Sequence, residues 1–121
     1  MTVQSHLQLL GLGHFHPENE ITNAFLESLE IETTDEWIMD RVGIRSRRTS
    51  LPLDYIRETH NRDPRAAIEA ADYSNADLGK RAAEMALKRA GVSSDQIGMV
   101  VCGGCAPDYA IPAESLSLIH I

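Results

Sequence analysis

The chain has 121 residues, 43% of them hydrophobic and 24% charged, with a formal net charge of −7. That length allows at most one small domain or a piece of a larger one, and the composition is ordinary for a soluble globular protein. An acidic chain without a basic stripe is a poor nucleic-acid binder, no apolar run approaches the roughly 20 residues of a membrane span, and "MTVQSHLQLLGLG" carries neither a basic leader region nor a small-residue cleavage site, so no membrane or nucleic-acid partner is expected and the expected address is cytoplasmic.

Residues 3–12, "VQSHLQLLGL", alternate weakly and then run apolar, which predicts a strand buried on at least one face. Gly11 and Gly13 close it, and "HFHPENE" reads as a loop. Residues 22–31, "TNAFLESLEI", place Phe25, Leu26 and Leu29 on one helical face, with Thr22 or Asn23 as the cap. A second helix start follows at once. Thr33-x-x-Glu36 has the capping-box pattern, and Asp35 and Glu36 supply the acidic first turn that the helix dipole favours. This helix carries Trp37, Ile38 and Arg41 and should stop near Gly43.

The stretch "GIRSRRTSLPLDYIRETHNRDP" is polar, holds two prolines and has no sustained period. It reads as a long loop with a short turn at Leu53 to Arg57, and loops of that length are usually functional. Asp63-Pro64 has the form of an N-cap followed by proline at the first helical position, opening the short helix "PRAAIEAA". Residues 74–91 are the clearest helix. Ser74-x-x-Asp77 caps it, Leu78, Ala82, Met85 and Ala86 form its apolar stripe, Lys88 and Arg89 occupy its last turn, and Gly91 ends it. A tight "VSSDQIG" turn then feeds the strand "MVVCGG". Strand, helices and strand make an α/β order, but two strands do not make a stable sheet, so the chain reads as an incomplete α/β domain.

Cys102 and Cys105 are the only cysteines and stand as C-x-x-C. Zinc or an iron–sulfur cluster normally needs about four ligands, and two cysteines do not supply them. A redox pair needs its first cysteine at a helix N-terminus; here Cys102 ends a strand and Pro107 could open a helix, so local geometry permits the pair, but too little chain follows for the sheet and helix of such a fold. The expectation is two small buried fillers beside glycines that allow close backbone approach. His14-x-His16 lacks a third ligand in view. Arg45, Arg47 and Arg48 form a short cationic cluster, either a solvated loop or an attractor of anions.

The string "TTDEWIMDRVGIRSRR", with "TNAFLE" before it and "AAEMALKRAGVSSDQIGMVV" after it, resembles the N-terminal part of a β-ketoacyl-acyl-carrier-protein synthase III of the thiolase superfamily. The likeness runs collinearly from about residue 8 to about residue 114. It implies an α/β, thiolase-like fold of αβαβα layers, incomplete in this chain, with its domain portion at residues 1–114. Residues 49–73 are longer than the family's usual linker, and the tail 115–121, "SLSLIHI", is atypical and reads as a truncation.

The resemblance also implies the chemistry. An acyl group passes from coenzyme A to a cysteine and is condensed with a malonyl thioester on an acyl carrier protein, within a homodimer; coenzyme A thioester is substrate, and no cofactor or metal is implied. Trp37 and Arg41 fall at the mouth of the coenzyme A tunnel, and their i, i+4 spacing places them on one helix face. Thr33 is a weaker candidate for the same ligand, and Val42 stands where relatives often have threonine. Ile111, before Pro112, falls on the loop that closes the acyl pocket of the dimer partner. The family's catalytic cysteine, histidine and asparagine lie further on, so no catalytic residue is expected in this chain and the chain alone should be inactive. The rival from another class is a small non-enzymatic binding or C-x-x-C redox module.

Overall fold

The computed structural model describes residues 7–104 and 118–119, in two compact units: His16–Asn75, and Met1–Phe15 together with Ala76–Ile121.

The first unit runs β1 (Asn19–Thr22), α1 (Asn23–Glu27), α2 (Asp35–Arg41), β2 (Ser46–Thr49), α3 (Leu53–Thr59) and α4 (Pro64–Ala70). β1 and β2 pair antiparallel, with Asn19 opposite Thr49, Glu20 opposite Arg48, Ile21 opposite Arg47 and Thr22 opposite Ser46. Ser46 Oγ donates to Glu20 Oε1 across the ribbon at 2.5 Å, and the Arg48 guanidinium donates to the Glu18 carbonyl at 2.9 Å. Neither strand was expected: each has only four residues and one of them, "SRRT", has no apolar side chain to set a period. Such a ribbon is marginal by itself. Here helices cover it, with Phe25, Leu29 and Ile56 forming the core and Ile21, Leu26, Leu51 and Leu53 packed around it.

α1 starts where Thr22 Oγ1 accepts from Phe25 N at 3.1 Å, so Thr22 is its cap. It stops earlier than the expected residue 31. Leu29 and Glu30 donate to the carbonyls three residues back, and Glu30 and Glu32 have positive φ, 55° each, which turns the chain out of the helix. β2 and α3 replace the long loop expected from Gly43 to Pro64, the expected short turn at Leu53 to Arg57 being part of α3. α3 brings Ile56 into the core and ends at His60 in the left-handed region, and Asp72 N, beyond α4, donates to the carbonyl of Ser50, which precedes α3, at 2.7 Å. α4 opens as expected on Asp63, whose Oδ1 accepts from Arg65 N, with Pro64 at the first helical position.

In the second unit α5 (Asn75–Ala90) is the longest helix and ends before Gly91 at φ 66°. Its small residues are used for close approach. A Cβ on Gly13 would lie 1.9 Å from the Ala82 carbonyl oxygen, and one on Gly11 would lie 2.4 Å from that of Ala86. Only glycine permits both contacts. Arg89 also donates to the Leu12 carbonyl at 2.9 Å, and the Arg81 guanidinium lies over the Phe15 ring. A 3-10 turn follows at Ser94–Gln96, where Gln96 Oε1 accepts from both Ser93 N and Ser93 Oγ.

The two strands read from the sequence at 3–12 and 99–104 are not formed over their described residues, which make no ladder. Leu7, Leu9, Leu12, Met99 and Val101 are exposed there, so the apolar pattern is present, but among the described residues there are no neighbouring strands or covering layer to make it a sheet.

Candidate functional site

The site is built on α2, a helix of seven residues with explicit ends. Thr34 is the cap, its Oγ1 accepting from Trp37 N at 3.1 Å, one residue later than the expected Thr33. That shift puts Trp37 rather than Glu36 at the position a capping box would use, so no box forms. Asp35 N instead donates to Glu27 Oε1 of α1 at 2.5 Å. At the other end Val42 N and Gly43 N both donate to the Ile38 carbonyl, and Gly43 carries the positive φ of 70° that ends the helix.

Ile38 alone is buried in α2, and this settles which side faces the protein. Trp37 is left half exposed, at 54% of its surface, with Arg41 one turn on. The Arg41 guanidinium carbon lies 5.7 Å from the Trp37 ring centroid, within cation–π range. Arg41 Nε is also 4.0 Å from Asp40 Oδ2, an exposed pair worth little in water. The result is an outward-facing indole plane beside a guanidinium fork, able to stack a flat aromatic base and hold phosphate oxygens together. Thr33, half buried, precedes the cap and stands outside the helix, and Val42, its C-cap, is exposed.

The platform is held by Asn23, for which local pattern offers only the role of a helix cap. Asn23 is the buried polar residue of the described chain, 2% exposed. Its Nδ2 donates to Asp35 Oδ1 at 2.7 Å and to the Ile44 carbonyl at 2.9 Å, while its Oδ1 accepts from Arg47 at 3.0 Å. The available signal was an asparagine three residues before Leu26, where the helical period asks for an apolar residue. This bond also reassigns Arg47, which with Arg48 serves the fold, whereas Arg45 stays exposed.

Cys102 is a free thiol and exposed, contrary to the buried filler expected of it, because the strand end that would have been covered lies open. Cys105 and Ile111 lie outside the described residues. Among the described residues no three His, Cys, Asp or Glu side chains group as a metal site, and no helix is long and apolar enough to cross a membrane.

No protein-family model matches the chain. Curated relatives do. The β-ketoacyl-[acyl-carrier-protein] synthase III of Alkalilimnicola ehrlichii is 35% identical over 114 residues, 94% of this chain and 29% of the relative. That of Serratia proteamaculans is 36% identical over 110 residues, 91% of this chain and 28% of the relative. Among solved structures, 3-oxoacyl-[acyl-carrier-protein] synthase III from Aquifex aeolicus superposes with a TM-score of 0.69 at 25% identity, covering 90% of this chain and 29% of that one. A priming β-ketosynthase from a polyketide biosynthetic pathway gives 0.67 at 28% identity, over 93% of this chain and 28% of its own. The chain thus spans less than a third of the length of these proteins. The structural neighbours are thiolase-like ketosynthases, and the helices and strands described above are part of that α/β fold.

Proposed function

Because this chain belongs to the β-ketoacyl-[acyl-carrier-protein] synthase III family, we propose that it supplies one wall of the coenzyme A entrance of a 3-oxoacyl-acyl-carrier-protein synthase. The observation that carries this reading is the exposed stack of Arg41 on Trp37 along α2. The indole offers a plane to the adenine, and the guanidinium offers paired donors to the nucleotide's phosphate oxygens. Thr33 is a further contact to the same ligand. Ile111 limits the acyl pocket across a homodimer, and the acyl carrier protein is the second macromolecular partner, in the cytoplasm.

In this reading the acyl group of an acyl-CoA is passed to a cysteine thiolate with release of coenzyme A. The acyl-enzyme is then attacked by the carbanion formed as malonyl-acyl-carrier protein loses carbon dioxide. In this reading histidine and asparagine side chains of the family stabilise the enolate and the thioester oxyanion, and the chain is expected to hold neither of them. The chain's own share is to bind and orient the thioester, a contribution of position rather than of bond making.

Trp37 is the only tryptophan, so its fluorescence reports on the site directly. Titration of the 121-residue chain with coenzyme A should give a saturable change in emission that Arg41→Ala weakens about tenfold, the loss of a charge-assisted contact. A flat titration, or one indifferent to Arg41→Ala, overturns the reading.

A further inference from the structure

Building on the reading of Trp37 and Arg41 as a coenzyme A contact, we infer that Asn23 is a positioning residue for that contact, acting through Asp35 and Ile44 without touching the ligand. An asparagine amide has two donor hydrogens and a carbonyl acceptor. Here both donors and the acceptor are engaged, to Asp35 Oδ1, the Ile44 carbonyl and the Arg47 guanidinium. Aspartate in its place has no donor and would set a carboxylate against the carboxylate of Asp35 and the carbonyl of Ile44. Leucine would leave three polar groups without their partner, and a polar group that stays buried without one is destabilising.

The two groups held by the donors bracket α2. Asp35 is its first residue, two before Trp37, and Ile44 lies two beyond its C-cap Val42. A helix of seven residues is far shorter than the ~12–15 needed to persist in water alone. Its place therefore depends on tertiary contacts, among them the inward Ile38, the Glu27 bond to Asp35 N, and this one amide at both ends. The bond from Arg47 in turn fixes the amide to β2. A shift of α2 moves Trp37 and Arg41 together, so Asn23 sets where the pair stands.

Asp35 is exposed, and its substitution separates this bond from folding. Asp35→Ala and Asp35→Asn remove the same charge, but only the asparagine keeps an acceptor for Asn23. In Trp37 fluorescence titrations of the whole chain with coenzyme A, Asp35→Ala should bind about fivefold more weakly than Asp35→Asn, the scale of one hydrogen bond. Without ligand, acrylamide should quench Trp37 more readily in Asp35→Ala than in Asp35→Asn. Asn23→Asp should weaken binding by about tenfold or more, and if that variant fails to fold the Asp35 pair decides. Equal affinities of the two Asp35 variants overturn the inference, even with unequal quenching. If the unsubstituted chain does not bind coenzyme A, the functional reading fails, and the acrylamide comparison alone then decides whether Asn23 places Trp37.

Discussion

The guanidinium carbon of Arg57 lies 5.3 Å from the ring centroid of Phe25, which joins α3 to the buried face of α1. One residue away, Ile56 enters the same core beside Phe25 and Leu29. The segment that looks like an insertion in sequence is thus part of what holds the first unit together. It keeps α1 fixed, and α1 carries the two side chains, Asn23 and Glu27, that hold the start of α2.

Truncation of Ile56 should therefore cost far more than its place in a polar stretch suggests. Ile56→Ala is expected to lose about 2–4 kcal/mol of unfolding free energy, read as a lower urea midpoint. Arg57→Ala, which removes only the exposed cation above the ring, should lose about 0.5–1 kcal/mol. Equal small losses for both would show that α3 is not part of the core.

Two glycines should resist substitution for different reasons. Gly13→Ala drives a methyl group into the Ala82 carbonyl and should cost about 1–3 kcal/mol through displacement of α5. Gly43→Ala meets open space but keeps a φ of 70°, so its cost should be about 1–2 kcal/mol of backbone strain alone. Thermal melts of both variants test this, and crystal structures should show a moved helix only for the first.

At the proposed nucleotide contact, Arg41→Lys should keep the charge but lose the planar fork and most of the stack. Its coenzyme A affinity is expected to fall about three- to tenfold, close to that of Arg41→Ala. A lysine variant with unchanged affinity would mean that charge alone serves the site.

The exposed thiol of Cys102 makes a prediction independent of any ligand. Iodoacetamide applied without denaturant should modify Cys102, and peptide mass spectrometry should find the label within the time a small free thiol needs. Protection of Cys102 until urea is added would restore the buried strand end that its sequence suggests.

The purified 121-residue chain should show no condensation of acetyl-CoA with malonyl-acyl-carrier protein above the rate without enzyme. Measurable product from this chain would place the nucleophile among its own residues.

Whatever depends on neighbours along the chain could be read from local pattern. α5 was legible from its 3.6-residue stripe and terminal Gly91, α4 from Asp63-Pro64, and α2 from its acidic first turn and the glycine at its end. The same local order put Trp37 and Arg41 on one face, and the "DEWIMDRVGIR" string carried the family likeness with them. Whatever rests on partners distant in sequence became visible only in the folded chain. β1 and β2 exist because residues more than twenty apart pair across a ribbon too short to show a period, and α3 folds against Phe25 rather than on its own propensity. The apolar runs near Leu9 and Val101 have strand sequences yet form no strand, since a ladder needs a neighbour that no local pattern provides. Asn23 is the sharpest case. Its composition gave a cap, but three hydrogen bonds to residues 12, 21 and 24 positions away made it the anchor of α2.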